Sequence, residues 1–286
     1  MQEKITVRDF IKKKGKEKIA MVTAYDYAFA KLVDTAGVDA ILVGDSAAMV
    51  VHGLPSTIPI DMNTMLLHVS SVARAKPRAL VIGDMPFLSY EVSVEEAVRN
   101  AGLMLKAGAD AVKLEGGAEQ ADKIEAMVKA GIPVMGHIGL TPQRYLVLGG
   151  YRRRGKKIRE AEKIIEDAKA LEEAGVFAIV IEFTAAEVAK IITEEVSVPT
   201  ICIGSGPYCD GQVLVLHDLL GINEQVPPFA KKYADLHGIV IEAVKNYVRE
   251  VKNALFPSEE HYFHMKEEDY RELVKKLRRQ GATRRA

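Results

Sequence analysis

Hydrophobic positions cluster into short runs rich in β-branched residues, separated by longer stretches whose apolar residues recur at helical spacing. The runs are IAMVTAY (19–25), AILVGD (40–45), ALVIGD (79–84), AVKLEG (111–116), PVMGHIGL (133–140), FAIVIEF (177–183), PTICIGS (199–205) and QVLVLHD (212–218). They are close to continuously apolar, the pattern of strands covered on both faces. Between them, SVEEAVRNAGLMLKAG (93–108) opens on a capping-box serine three residues before Glu96 and closes on glycine. REAEKIIEDAKALEEAG (159–175) gathers its apolar residues on one face and also ends on glycine. Eight such runs in βαβα order predict an α/β fold, a (β/α)8 TIM barrel with parallel strands; an open doubly wound sheet is the rival. AGVDA (36–40), AGADA (107–111) and AGVFA (174–178) mark three helix-to-strand joints in nearly the same letters, the echo of a repeating unit. The expected organisation is one barrel domain over 1–286, with a short N-terminal segment 1–17 and a C-terminal helical tail 256–286. A loop around GINEQVPPF (221–229) and a helix at about 230–254 close the eighth unit.

In a barrel the C-terminal ends of the strands share one rim, where active sites form. Asp45, Asp84, Glu115 and Glu182 each end a run from a different unit, so the predicted fold gathers them. Taken singly, each acid is explained by a helix cap or a turn. Taken together, mutually repelling carboxylates point to a hard divalent cation such as Mg²⁺, with Asp45 and Asp84 as direct ligands and Glu115 ligating directly or through water. Lys113 lies two residues before Glu115 and points to the same side of its strand. It is either a structural partner of Glu115 or Asp84, or the group that neutralises a substrate carboxylate or a developing enolate. His137 is either a hydrogen-bonded core histidine or a rim catalyst; Ser46 either caps or donates to a bound anion. Glu182, set between AIVI and Phe183, is expected to have a raised pKa and to act as a general base. Passive lining of the pocket is the competing account.

Composition narrows the class. The 286 residues are 48% hydrophobic and 27% charged, as in a folded soluble protein with a sizeable core. Lys plus Arg and Asp plus Glu number 39 each, which argues against nucleic acid or an anionic membrane as partner. Cys202 and Cys209 offer no disulfide framework and no zinc quartet; Cys202 reads as a packed thiol and Cys209 as a loop residue. MQEKITVRDFIKKKGKE has no apolar core behind its basic residues, so no signal peptide is expected. No stretch reaches membrane-spanning length, and the expected compartment is the cytoplasm. Frequent Lys and Glu with no Trp lean toward a thermophilic source.

VTAYDYAFAKLVDTAGVDAILVGDS, HGLPSTIPI, VIGDMPF, AVKLEGG, PVMGHIGLTPQ, IEF and CDGQVLVLHDLLG together resemble the ketopantoate hydroxymethyltransferase family, from about residue 4 to 263. The resemblance implies a metal-dependent barrel of the phosphoenolpyruvate mutase/isocitrate lyase group. It implies transfer of a one-carbon unit from the co-substrate 5,10-methylenetetrahydrofolate to 3-methyl-2-oxobutanoate, giving 2-dehydropantoate for pantothenate and coenzyme A. Carried over by position, it implies Mg²⁺ at Asp45, Asp84 and Glu115, oxoacid contacts from Asp45, Ser46, Asp84, Lys113 and His137, and Glu182 as proton acceptor. YRRRGKKIRE (151–160) is either a solvated loop or a cover for the folate. The family is oligomeric, often decameric, and Phe256, Tyr262 and Phe263 in the tail suit contacts between subunits. Two rivals are a related Mg²⁺ barrel that cleaves or rearranges an oxoacid without folate, and a non-catalytic barrel binding a metabolite through its rim.

Overall fold

The computed structural model describes residues 3–283. Eight parallel strands close into a barrel in sequence order, β1 pairing with β8. They are β1 (Ile19–Thr23), β2 (Ala40–Val43), β3 (Leu80–Asp84), β4 (Ala111–Glu115), β5 (Val134–Gly139), β6 (Ala178–Glu182), β7 (Thr200–Ile203) and β8 (Gly211–Leu214). Helices between the strands cover the outside, among them Met62–Arg74, Val94–Lys106 and Ile158–Glu173. Closure removes the open-sheet rival: a sheet with both edges paired has no crevice of the doubly wound kind.

Side chains along each strand alternate between two cores, as the period of two requires. Outward positions such as Val81, Val112, Val134 and Ile179 pack under the helices. Inward positions such as Ile82, Ala111, Met135 and Val180 fill the barrel. The helix Val7–Lys12 closes the N-terminal end of the barrel, held by a Thr6–Asp9 capping box. Its Phe10 is fully buried edge-on to Phe177, ring centres 5.7 Å apart. The barrel therefore has an apolar floor.

Several local expectations change. Ser93 Oγ does accept from the Glu96 N–H at 3.1 Å, starting its helix where the sequence places it. β8, however, stops at Leu214, and Leu216–Leu219 forms a helical turn. The Leu216 N–H donates to Thr23 Oγ1 at 3.0 Å, which draws the chain out of the strand. The helix expected from about 230 spans Leu236–Lys252, with Asp235 accepting from the Gly238 N–H. The tail forms a short turn at Glu259–His261 and a helix at Glu267–Thr283. The chain divides into two compact units between Ala234 and Asp235, the first holding the barrel. No helix among the described residues is long and apolar enough to cross a membrane.

The cysteines are a correction. Cys202 and Cys209 are joined as a disulfide, with Cα atoms 5.7 Å apart and both side chains buried. The turn that joins them was hidden in the sequence: Gly204 and Gly206 adopt φ of +65° and +86°, a left-handed region open to glycine, and fold the chain back after β7. Closing so short a loop restricts the unfolded chain by about 2.5 kcal/mol in the loop-entropy treatment. A Cys202→Ala/Cys209→Ala double variant is expected to lose stability of that order in chemical denaturation. The unfolded, unreduced parent should release no thiol to Ellman's reagent; two titrating thiols would contradict the bridge.

Candidate active site

The polar residues of the rim occupy the next inward position above the apolar filling. Asp84 follows Ile82 by two residues, Lys113 follows Ala111, His137 follows Met135, and Glu182 follows Val180. Register then sets them side by side: Asp84 lies opposite Lys113, and Glu115 opposite His137. Asp45 comes from the turn after β2. The two GD pairs are thus not equivalent, since Gly83–Asp84 lies inside β3 while Gly44–Asp45 lies beyond β2. The link between them is a hydrogen bond from the Asp45 N–H to Asp84 Oδ2 at 3.0 Å.

Lys113 is the electrostatic centre. Its Nζ lies 2.9 Å from Asp84 Oδ1 and 3.0 Å from His137 Nδ1, with the side chain almost wholly buried. Burial works against the ammonium, but Asp84, Glu115 and Asp45 outweigh it and raise the lysine pKa above its ordinary value. A charged ammonium only donates, so His137 Nδ1 accepts and the imidazole carries its hydrogen on Nε2. Burial first, and then the Lys113 charge, push His137 well below its usual pKa and keep it neutral. Its Nε2 stands 3.2 Å from Glu182 Oε2, without an aligned hydrogen bond. That N–H is available to a bound substrate.

The carboxyl groups are held up. Burial raises Asp84 to about 7, with Lys113 opposing and Asp45 adding to the rise. Burial raises Glu182 to about 8, again against Lys113. Glu115 is pushed well above the ordinary glutamate value, mainly by burial. The Glu182 side chain nevertheless keeps 15% exposure, which leaves its oxygen reachable from the cavity. Ser46 makes no cap hydrogen bond to the helix Ala47–Val50; its hydroxyl pairs with Tyr25 Oη at 2.9 Å. Asp45, Ser46, Asp84, Lys113, Glu115, His137 and Glu182 all line one cavity of about 870 Å³ at the C-terminal end of the barrel.

Two residues that sequence reasoning passed over hold this set in place. Gln143 is buried; its Nε2 donates to Asp45 Oδ2 and to the Met85 carbonyl, both at 2.9 Å. The Gln143 N–H donates to Glu115 Oε2 at 3.0 Å, and its Oε1 accepts from Tyr90 Oη at 2.6 Å. Tyr90 Oη in turn accepts from the Glu115 N–H at 3.2 Å. The available signal was Pro142, which opens the single turn Pro142–Arg144 and so sets the Gln143 backbone toward the rim.

The donor set suits a divalent ion of the magnesium type. The cavity holds four carboxyl groups at its inner end against one ammonium and a neutral imidazole, and Asp84 Oδ1 lacks an aligned hydrogen-bond donor. Among the described residues no three His, Cys, Asp or Glu side chains form a ready metal cage. That is no obstacle for Mg²⁺, which commonly takes one or two carboxylates and completes its shell with water and substrate oxygens. Asp45 and Asp84 meet that requirement; Glu115 is turned to the Gln143 N–H.

Residues 4–259 match the ketopantoate hydroxymethyltransferase family. The 3-methyl-2-oxobutanoate hydroxymethyltransferase of Staphylothermus marinus is 78% identical over 264 residues, 92% of this chain and 97% of that protein. The chain belongs to the ketopantoate hydroxymethyltransferase family. Two solved structures share its fold. One is 2,3-dimethylmalate lyase of the PEP mutase/isocitrate lyase superfamily, at TM-score 0.57 and 16% identity over 97% of each chain. The other is phosphonopyruvate hydrolase in complex with oxalate and Mg++, at TM-score 0.56 and 15% identity over 93% of each chain. As a ketopantoate hydroxymethyltransferase family member the protein is an enzyme, which sets aside the non-catalytic barrel.

Gln143 supplies a test of the site's architecture. Gln143→Leu strands Asp45 and Tyr90 without their buried partner, at about 1–3 kcal/mol for each unsatisfied group. The expected outcome is a lowered unfolding midpoint together with weakened activity; an unchanged midpoint would show that these bonds carry no weight.

Proposed function

We infer that the protein transfers a hydroxymethyl group from 5,10-methylenetetrahydrofolate to 3-methyl-2-oxobutanoate, giving 2-dehydropantoate on the route to pantothenate and coenzyme A. The observation that carries the mechanism is Glu182. It is a carboxyl raised to about 8, open to the cavity and beside a neutral histidine, in a chain of this family. A folate-free lyase or mutase fits less well, because the high-identity relatives are named for the transfer.

The oxoacid binds with its carboxylate and keto oxygen toward Lys113, Ser46 and the His137 Nε2–H. Asp45 and Asp84, with Glu115 nearby, would hold Mg²⁺, which would supply Lewis-acid chemistry there. The phosphonopyruvate hydrolase complex with oxalate and Mg++ lends support, since a 2-oxoacid offers a similar pair of oxygens. Glu182 takes the proton from C3, and the electron pair of that C–H bond becomes the C2–C3 double bond of the enolate. Lys113 and the His137 N–H meet the charge that builds on oxygen. Water hydrolyses the methylene bridge of the folate: both C–N bonds break, tetrahydrofolate leaves, and the one-carbon unit is released as formaldehyde. The enolate carbon bonds to the formaldehyde carbon, and the formaldehyde oxygen takes up a proton to become the new hydroxyl. The base needs no covalent intermediate on the protein.

A second reading concerns assembly. The unit from Asp235 onward exposes Ile239, Val240, Val244 and Tyr247 along the helix Leu236–Lys252, and Phe263 is 94% exposed. So many apolar side chains along one helix favour cover by other copies of the chain in a homo-oligomer.

In D₂O with Mg²⁺ and no folate, the enzyme should exchange the C3 proton of 3-methyl-2-oxobutanoate, and Glu182→Gln should slow the exchange at least a hundredfold. Equal rates would remove Glu182 as the base. Only ionised Glu182 accepts a proton, and its carboxyl is neutral below about 8, so exchange should climb with pH up to about 8 and level off above it. A flat profile from pH 6 to 9 would contradict this assignment. Light scattering should give a mass several times 31.4 kDa; a monomer mass at all concentrations would dismiss the oligomer.

A further inference from the structure

The cavity is chemically divided. Its inner end carries the acids, Lys113 and His137; its outer end is walled by Tyr151, Arg153, Phe183, Pro228 and Phe229. A five-carbon oxoacid engaged with the inner end leaves most of 870 Å³ unfilled.

Three features of the outer wall point to a ligand. Phe183, directly after Glu182, has φ +46°, a region costly for a bulky residue and one that persists only when its surroundings enforce it. Here they do. The Phe183 N–H donates to the Ile203 carbonyl at 2.8 Å, and its own carbonyl accepts from the Arg154 N–H at 2.9 Å. The strain fixes the ring against Phe229, centres 5.1 Å apart. A bare glycine makes room for the pair: a Cβ on Gly204 would fall 2.8 Å from the Phe229 ring and 3.1 Å from that of Phe183.

The basic stretch 151–160 is stitched to the barrel rather than free. Arg154 bridges to Thr184 beside β6, its carbonyl accepts from the Ala185 N–H at 3.0 Å, and its guanidinium pairs with Glu160. Arg154 is thereby consumed in structure, and its neighbour is not. Arg153 places its guanidinium carbon 5.8 Å from the centre of the Phe183 ring, and among the described residues it has no carboxylate partner. A fixed aromatic wall with a planar cation over one of its rings, free of any carboxylate partner among the described residues, suits a ligand that joins a flat ring closely to a carboxylate.

We propose that Arg153 with the Phe183–Phe229 wall is the subsite for the p-aminobenzoylglutamate half of the folate co-substrate. This rests on the function inferred above. The benzoyl ring lies on the aromatic wall and the glutamate α-carboxylate meets the Arg153 guanidinium. In that fragment the carboxylate stands one amide and one carbon beyond the ring, so one ligand can engage both the aromatic wall and the neighbouring guanidinium. The ring's other end carries the nitrogen that bears the one-carbon unit. Because Phe183 adjoins Glu182 in the chain, this pose delivers that unit to the carbon from which Glu182 has removed a proton.

The test compares two readouts in Arg153→Ala, Arg153→Lys and Phe229→Leu. The first is the KM for 5,10-methylenetetrahydrofolate, with inhibition by p-aminobenzoyl-L-glutamate. The second is folate-free C3 deuterium exchange, which reads the inner site. Arg153→Ala should raise the folate KM about tenfold and abolish inhibition by the fragment, while the oxoacid KM and the exchange stay within twofold. Arg153→Lys, a point charge without the fork, should fall between parent and alanine. Phe229→Leu should weaken the fragment without changing the exchange. A folate KM unchanged by Arg153→Ala overturns the subsite, as does a loss shared equally by the oxoacid KM and the exchange. A parent that neither exchanges nor turns over would instead overturn the function itself, and the subsite with it.

Discussion

One buried ammonium organises the mouth of this barrel. Lys113 is taken out of water among more carboxyl groups than it can neutralise. An unpaired charge in such a place is costly, and removing one partner of a buried pair destabilises a protein by about 3–5 kcal/mol. Its hydrogen-bonding chemistry then propagates. Because it can only donate, His137 Nδ1 accepts and the imidazole N–H turns toward Glu182. Burial lifts both acids, Asp84 to about 7 and Glu182 to about 8, and the Lys113 charge opposes the rise at each. The same charge that anchors the site thus limits how far burial can neutralise the acids around it.

Strand periodicity makes this arrangement possible without distortion. The inward positions of β3 to β6 are apolar until the last one or two, so the polar layer rests on a packed apolar one. No polar side chain has to be threaded through the core. The supports come from outside the strands: Gln143 ties the turn after β2 to the end of β4, and Tyr90 ties the loop after β3 to both. Acids that would drift apart by mutual repulsion are held by neutral amide and phenol groups, which add donors without adding charge.

How much of this could be read from the chain follows from the range of each interaction. Period-two reasoning placed Lys113 and Glu115 on one side of a strand, and the apolar frame of Glu182 announced its raised pKa, because both are local. Eight apolar runs in βαβα order pointed to the barrel, and closure of the sheet decided it against the open rival. Gln143 and Tyr90 gave no such signal, since their importance comes from partners 25 to 98 residues away. The matching GD pairs concealed a difference of register that only closure of the sheet decides. Ser46 could be read as a cap or as a donor to an anion; its hydroxyl makes no cap bond and pairs with a tyrosine from the preceding unit. The cysteines were misjudged because spacing alone does not show that glycines at 204 and 206 reverse the chain between them.

The plugged floor has a kinetic corollary. With Phe10 and Phe177 sealing the far end, the deep polar layer is approached from the C-terminal mouth, past the outer portion of the cavity. On the function inferred above, a small acid seated on the deep polar layer would arrive before a larger companion occupies the passage above it, and would depart after it. A compulsory order of turnover, with the deepest guest first in and last out, is the consequence of that reading.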